Sequence, residues 1–95
     1  MNLTIAPTPK AKRDLHPRGQ LAYHQRCASR ANAKIDWLRE LASRFPGDPN
    51  YAIDPEKDRA LIAKRDAHLR ACVLLNDEHA LGYPVTSSMR QMLGM

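Results

Sequence analysis

Residues 21–45 read LAYHQRCASRANAKIDWLRELASRF. Within them Leu21, His24, Ala28, Ala31, Ile35, Leu38, Ala42 and Phe45 recur in alternating steps of three and four without a break. That is the a/d seam of a helix packed along one side against another helix. Helix 1 is expected over about residues 17–45: Pro17 suits a first turn, and Pro46-Gly47 stops the run. The larger residues Ile35, Leu38 and Phe45 fill the seam's C-terminal half, so the helix is expected to be best anchored beside the following loop. On this reading Leu38 is core, and Leu38→Asp should unfold the packed pair.

The side of helix 1 opposite the seam carries Tyr23, Arg26, Arg30, Trp37 and Arg44. Tyr23, Arg30 and Trp37 are spaced by seven and so stack along one line. Tyr, Trp and Arg are the residue types enriched at binding hot spots. The same types serve single-stranded nucleic acid, where bases stack on aromatic rings and Arg meets phosphate. The alternative packs the single Trp37 beneath the C-terminal segment or the N-terminal arm.

A short connection around Asp48-Pro49-Asn50 makes the next helix an antiparallel neighbour. Helix 2 is expected over about 55–80, with Asp54 as N-cap, Pro55 at N1, Glu56 and Asp58 at the positive end of the dipole, and Gly82 beyond it as a stop. It is apolar on two sides. One side suits helix 1. The other, Ala60, Ala63, Ala67, Ala71 and Leu74, permits close approach of a second protomer or of the C-terminal segment, and a homodimer through it is the expectation. A short third helix is expected over about 86–93, capped by Thr86, with Val85, Met89, Met92 and Leu93 on one side. The fold class is thus all-α: an antiparallel helical hairpin, a short C-terminal helix and an extended, flexible basic arm over residues 1–16, leaving 17–95 as a single domain.

Charge is distributed unevenly. The chain of 95 residues has a net charge of +5. Residues 1–34 hold Lys10, Lys12, Arg13, Arg18, Arg26, Arg30 and Lys34 against the lone acid Asp14. The excess favours an anionic partner, either an acidic protein surface or nucleic acid, and excludes mimicry of DNA by negative charge. A solvated tail is the plain alternative. Two cysteines are too few for a disulfide scaffold, Pro7 and Pro9 interrupt any signal-peptide core, and no apolar run is long enough to span a membrane. A cytoplasmic location is expected.

His24, Cys27, His68 and Cys72 approach one layer of such a hairpin. Two thiolates and two imidazoles match a tetrahedral zinc set. Against that, the spacings fit no familiar finger, and the two histidines point in opposite axial directions from the cysteine layer. Burial of all four is the expectation, with no metal and no cofactor, and a Cys27–Cys72 disulfide is disfavoured inside a cell. There is no glycine-rich phosphate loop, HExxH, CxxC or nucleophilic serine motif. The expected function is therefore non-enzymatic: a protein-binding module of adaptor or inhibitor type. Inhibitors of nucleic-acid-handling machinery carried by mobile elements are one such class. Direct nucleic-acid binding through the arm and the Arg/Trp side of helix 1 is the alternative.

Overall fold

The computed structural model describes residues 3–95 and contains four helices: α1, Lys10–Arg13; α2, Pro17–Arg44; α3, Pro55–His79; and α4, Ser87–Leu93. No strand occurs among the described residues. The molecule measures 48 × 30 × 24 Å. The long axis reflects α2, whose 28 residues extend about 42 Å at about 1.5 Å per residue.

Local chemistry accounts for most of the boundaries. Pro17 opens α2, and the His16 ring accepts the Arg18 amide at 3.1 Å. Asp54 caps α3 by accepting the Glu56 amide at 3.0 Å, with Pro55 in the first turn. Thr86 caps α4 through the Met89 amide, and Gly94, at φ +73°, ends it. α3 ends where expected, at His79, but by a different device. Ala80, not Gly82, takes the first left-handed position, with φ 51°. Asn76 holds it there. Its carbonyl accepts the Ala80 amide, and its side-chain oxygen accepts the amides of Leu81 and Tyr83 at 3.1 and 3.0 Å. A left-handed alanine carries steric strain that glycine lacks. Ala80→Gly should therefore raise stability by about 0.5–1 kcal/mol, read as a higher urea midpoint at unchanged slope.

The two long helices pack together. Side-chain and carbonyl pairs join Arg39 to Asp58, Asn32 to Arg65, His24 to His68 and Leu21 to Cys72. Positions fall along α2 as they rise along α3. Burial is concentrated at one end. Leu21, His24, Ala28, Ala31 and Ile35 are buried on α2, and Ala67, His68, Ala71, Cys72 and Val73 on α3. Leu38 and Ala42 are only half-buried and Phe45 is exposed. The expectation of firmest anchoring beside the loop is thus reversed. At the loop end two helices have only each other, and a pair leaves each helix open on its flanks. At the other end Leu81 joins Leu21 and Cys72, with Leu75 and Tyr83 packed around them, and α4 contributes Leu93.

The N-terminal segment supplies further cover. Met1 and Asn2, the first residues of the expected arm, lie outside the described residues. Within residues 3–16 the segment is docked rather than free. Ala6 is buried, and its amide donates to Ala67 O at 3.1 Å. Arg70 binds both chain ends, donating to Thr4 O at 3.0 Å and to Leu93 O at 2.8 Å. The small side chains of Ala6 and Ala67 permit this approach, while Pro7 and Pro9 keep the segment out of helix until Lys10. The alanine side of α3 is divided as a result. Ala67 and Ala71 are buried within the chain itself, and Ala60, Ala63 and Leu74 are exposed. On α4, Leu93 is fully buried whereas Met92 turns outward.

Candidate interaction surface

Trp37 is 58% exposed, so no described segment of the chain covers it. Arg26 and Arg30 are exposed and make no ion pair among the described residues. Arg44 pairs with Glu40 at 2.7 Å, one turn back on the same helix. That contact is solvent-exposed and contributes little. Tyr23 differs from the others on its line. It is half-buried, with its ring edge-on to His24 and His68 at 5.0 and 6.0 Å. The expected Tyr23–Arg30–Trp37 line therefore runs from a partly covered end to an open one.

The basic residues of the N-terminal segment are spread among different tasks. Lys10, Lys12 and Arg13 lie on α1, where Arg13 donates to Thr8 O at 3.0 Å. Arg18 donates to Leu81 O at 3.2 Å, holding the start of α2 to the end of α3. Lys34 is exposed beside α3.

The two flanks of the α2–α3 pair differ chemically. One holds an open depression of about 440 Å³ lined by Gln25, Asn32, Asp36, Arg65 and Tyr83 among others. Its polar groups answer one another: Arg65 donates to Asn32 at 3.0 Å and to Asp66 at 3.1 Å. The other flank is a groove with Arg30 and Lys34 on one wall and Lys57 and Lys64 on the other. Leu38, Ala60 and Leu61 lie between them. None of those four cations has an acidic partner among the described residues. Lys57 and Lys64 were not picked out from the sequence. They belong to helix 2, whose overall charge is balanced, and only the packing of α3 on α2 brings them opposite Lys34.

His24 and His68 do come together, but as a hydrogen-bonded pair. Their Nδ1 atoms are 2.8 Å apart, and Thr8 Oγ1 is 3.0 Å from the other nitrogen of His24. Burial lowers both histidine pKa values, helped at His24 by His68 and at His68 by Lys64. Cys72 is fully buried, its thiol pushed up to about 12 by burial, and its Sγ lies 3.9 Å from Leu21 O. Cys27 is half-buried at the groove's end, and both cysteines are free thiols. The four residues do not form one metal-ligating group, and no cluster of three or more such side chains occurs among the described residues. No helix among those residues is long and apolar enough to cross a membrane. Searches of family models, curated proteins and solved structures returned no significant match.

Proposed function

We propose that this chain is a small, non-enzymatic protein-binding module, an antiparallel helical hairpin that engages an acidic surface of another protein. The observation that carries this reading is the exposure of Trp37 on the same helix as Arg26 and Arg30, which are exposed and make no ion pair among the described residues. A large aromatic ring left in water has a strong incentive to be covered, and Arg30 and Arg26 can complement carboxylates nearby. Direct nucleic-acid binding is the less favoured reading. Tyr23 is held against the histidines, and Arg13 and Arg18 bind carbonyls of the chain itself, which reduces what is offered to stacked bases and phosphates.

Two measurements test this. Random DNA and RNA should give no mobility shift at physiological salt; a shift there would replace the reading with the nucleic-acid one. Arg26→Glu combined with Arg30→Glu should abolish capture of the chain's protein partner from its source cell while leaving the helical circular dichroism and urea midpoint unchanged. Capture that survives the double reversal removes this surface from the reading.

A further inference from the structure

The groove on the cationic flank has a chemistry narrower than a generally acidic surface. Three depressions run into one another along it. The first, of about 220 Å³, is bounded by Cys27 and Arg30 and shares Lys34, Leu61 and Lys64 with the second. The second, of about 270 Å³, shares Leu38 and Lys57 with the third. The third, of about 190 Å³, reaches Leu41, Tyr51 and Ile53 at the loop end. From Cys27 to Leu41 the floor follows α2 for about 21 Å, about four helical turns.

The floor is apolar and the rim is cationic. Leu38, Leu61 and Ala60 lie between Lys34 on one wall and Lys57 and Lys64 on the other. The loop end leaves Tyr51 38% and Ile53 43% exposed, an apolar terminus to the same channel. The two acids that line it are already engaged: Asp54 caps α3, and Asp58 pairs with Arg39 at 3.2 Å. A free anion or a phosphate backbone has use for the rim and none for the floor. A purely hydrophobic helix has use for the floor and none for the rim.

We infer that the groove between α2 and α3 receives an amphipathic, acidic helix of the partner protein, with its apolar residues on Leu38 and Leu61 and its carboxylates on Arg30, Lys34, Lys57 and Lys64. This rests on the reading of the chain as a binder of an acidic protein. Helix-in-groove recognition needs anchors at i, i+3 and i+4 on one side, and the rim adds a demand for Asp or Glu on both borders. Trp37 is exposed one turn from Lys34 and from Leu41, two groove residues on the same helix.

The test uses the full chain and three fluorescent probes. The first is a four-turn helical peptide with leucines on one side and glutamates on the other. The second has the same glutamates with serine in place of leucine. The third is a single-stranded DNA of equal charge. The leucine–glutamate peptide should bind at physiological salt, at least about tenfold tighter than either other probe. Its binding should slow alkylation of Cys27, the accessible thiol at the groove's end. Lys57→Glu with Lys64→Glu should weaken it by at least about tenfold, whereas Arg26→Glu, outside the groove, should leave it within about twofold. Equal binding of the serine peptide or the DNA overturns the inference, as does absence of binding by the leucine–glutamate peptide. If Lys57→Glu with Lys64→Glu leaves cellular partner capture intact while Arg26→Glu, outside the groove, abolishes it, the groove assignment falls and the broader reading stands. If capture survives both Lys57→Glu with Lys64→Glu and Arg26→Glu with Arg30→Glu, both fall.

Discussion

Ile35→Asp should abolish folding, while Leu38→Asp leaves the helices intact. Ile35 is 1% exposed and sits in the middle of the α2–α3 contact, among the largest fully buried side chains of the chain. A carboxylate there meets neither water nor a cation, and several kcal/mol of desolvation, added to the lost packing of the Ile35 side chain, takes up the whole stability of a domain held by about 5–10 kcal/mol. Ile35→Ala isolates the packing contribution and should cost about 2–4 kcal/mol. Leu38, three residues further on, lines the open groove and is half-buried. An aspartate there can turn toward solvent and toward Lys34 and Lys57. Its cost should stay near about 1 kcal/mol, the loss of a partly covered leucine. Circular dichroism in urea separates the outcomes. A folded Ile35→Asp, or an unfolded Leu38→Asp, would mean that the seam ends elsewhere than at Ile35.

The contrast shows where the three–four spacing was informative. From Leu21 to Ile35 each seam position is buried, and at Leu38, Ala42 and Phe45 the same spacing continues without full burial. Periodicity reports which side of a helix is apolar. It does not report how many other segments arrive to cover that side. At the N-terminal end of α2 the N-terminal segment, through Thr8, and the Leu81–Tyr83 stretch do, while α4 packs on α3. The caps at Asp54 and Thr86 were legible because each is set by a few adjacent residues. The device that ends α3 at Ala80 was not, since it depends on the Asn76 side chain reaching forward to two amides. The docking of Ala6 on Ala67 was hidden for a similar reason. Neither partner is large, and the contact is a backbone hydrogen bond between segments far apart in sequence. The cationic groove required the pairing of Lys34 with Lys57 and Lys64, which charge along the chain does not contain.

Acidification from pH 7.5 to pH 5 should destabilise the protein substantially, through His24 and His68. Both rings are buried, at 0% and 8% exposure, and their Nδ1 atoms share one proton at 2.8 Å. Whichever ring holds it, one nitrogen donates and the other accepts. Doubly protonated rings would set two donors against each other. Lys64 adds repulsion at His68, and Tyr23 and Thr8, the other polar groups facing the pair, bring no negative charge at these pH values. Burial therefore holds both folded pKa values below the ordinary 6.5. Below pH 6.5 the unfolded chain binds more protons than the folded one, so stability is fully present above that pH and falls as pH drops toward the folded values. Each histidine contributes a slope of at most about 1.4 kcal/mol per pH unit in that window. The Asp77 carboxyl, held low by Arg90, gives up its contribution only as pH falls below 3.8, so the two effects separate. His68→Gln keeps a hydrogen-bonding group toward His24 while removing one titrating base, and it should roughly halve the slope between pH 6.5 and pH 5. A urea midpoint unchanged between pH 7.5 and pH 5 would show that the pair is not buried as a neutral unit. Thr8 bonds to His24, and the same segment carries Ala6 onto Ala67, so protonation should release the N-terminal segment before the helices separate. The Ala6 amide, corrected for intrinsic exchange, should then lose protection at a higher pH than amides in the middle of α3.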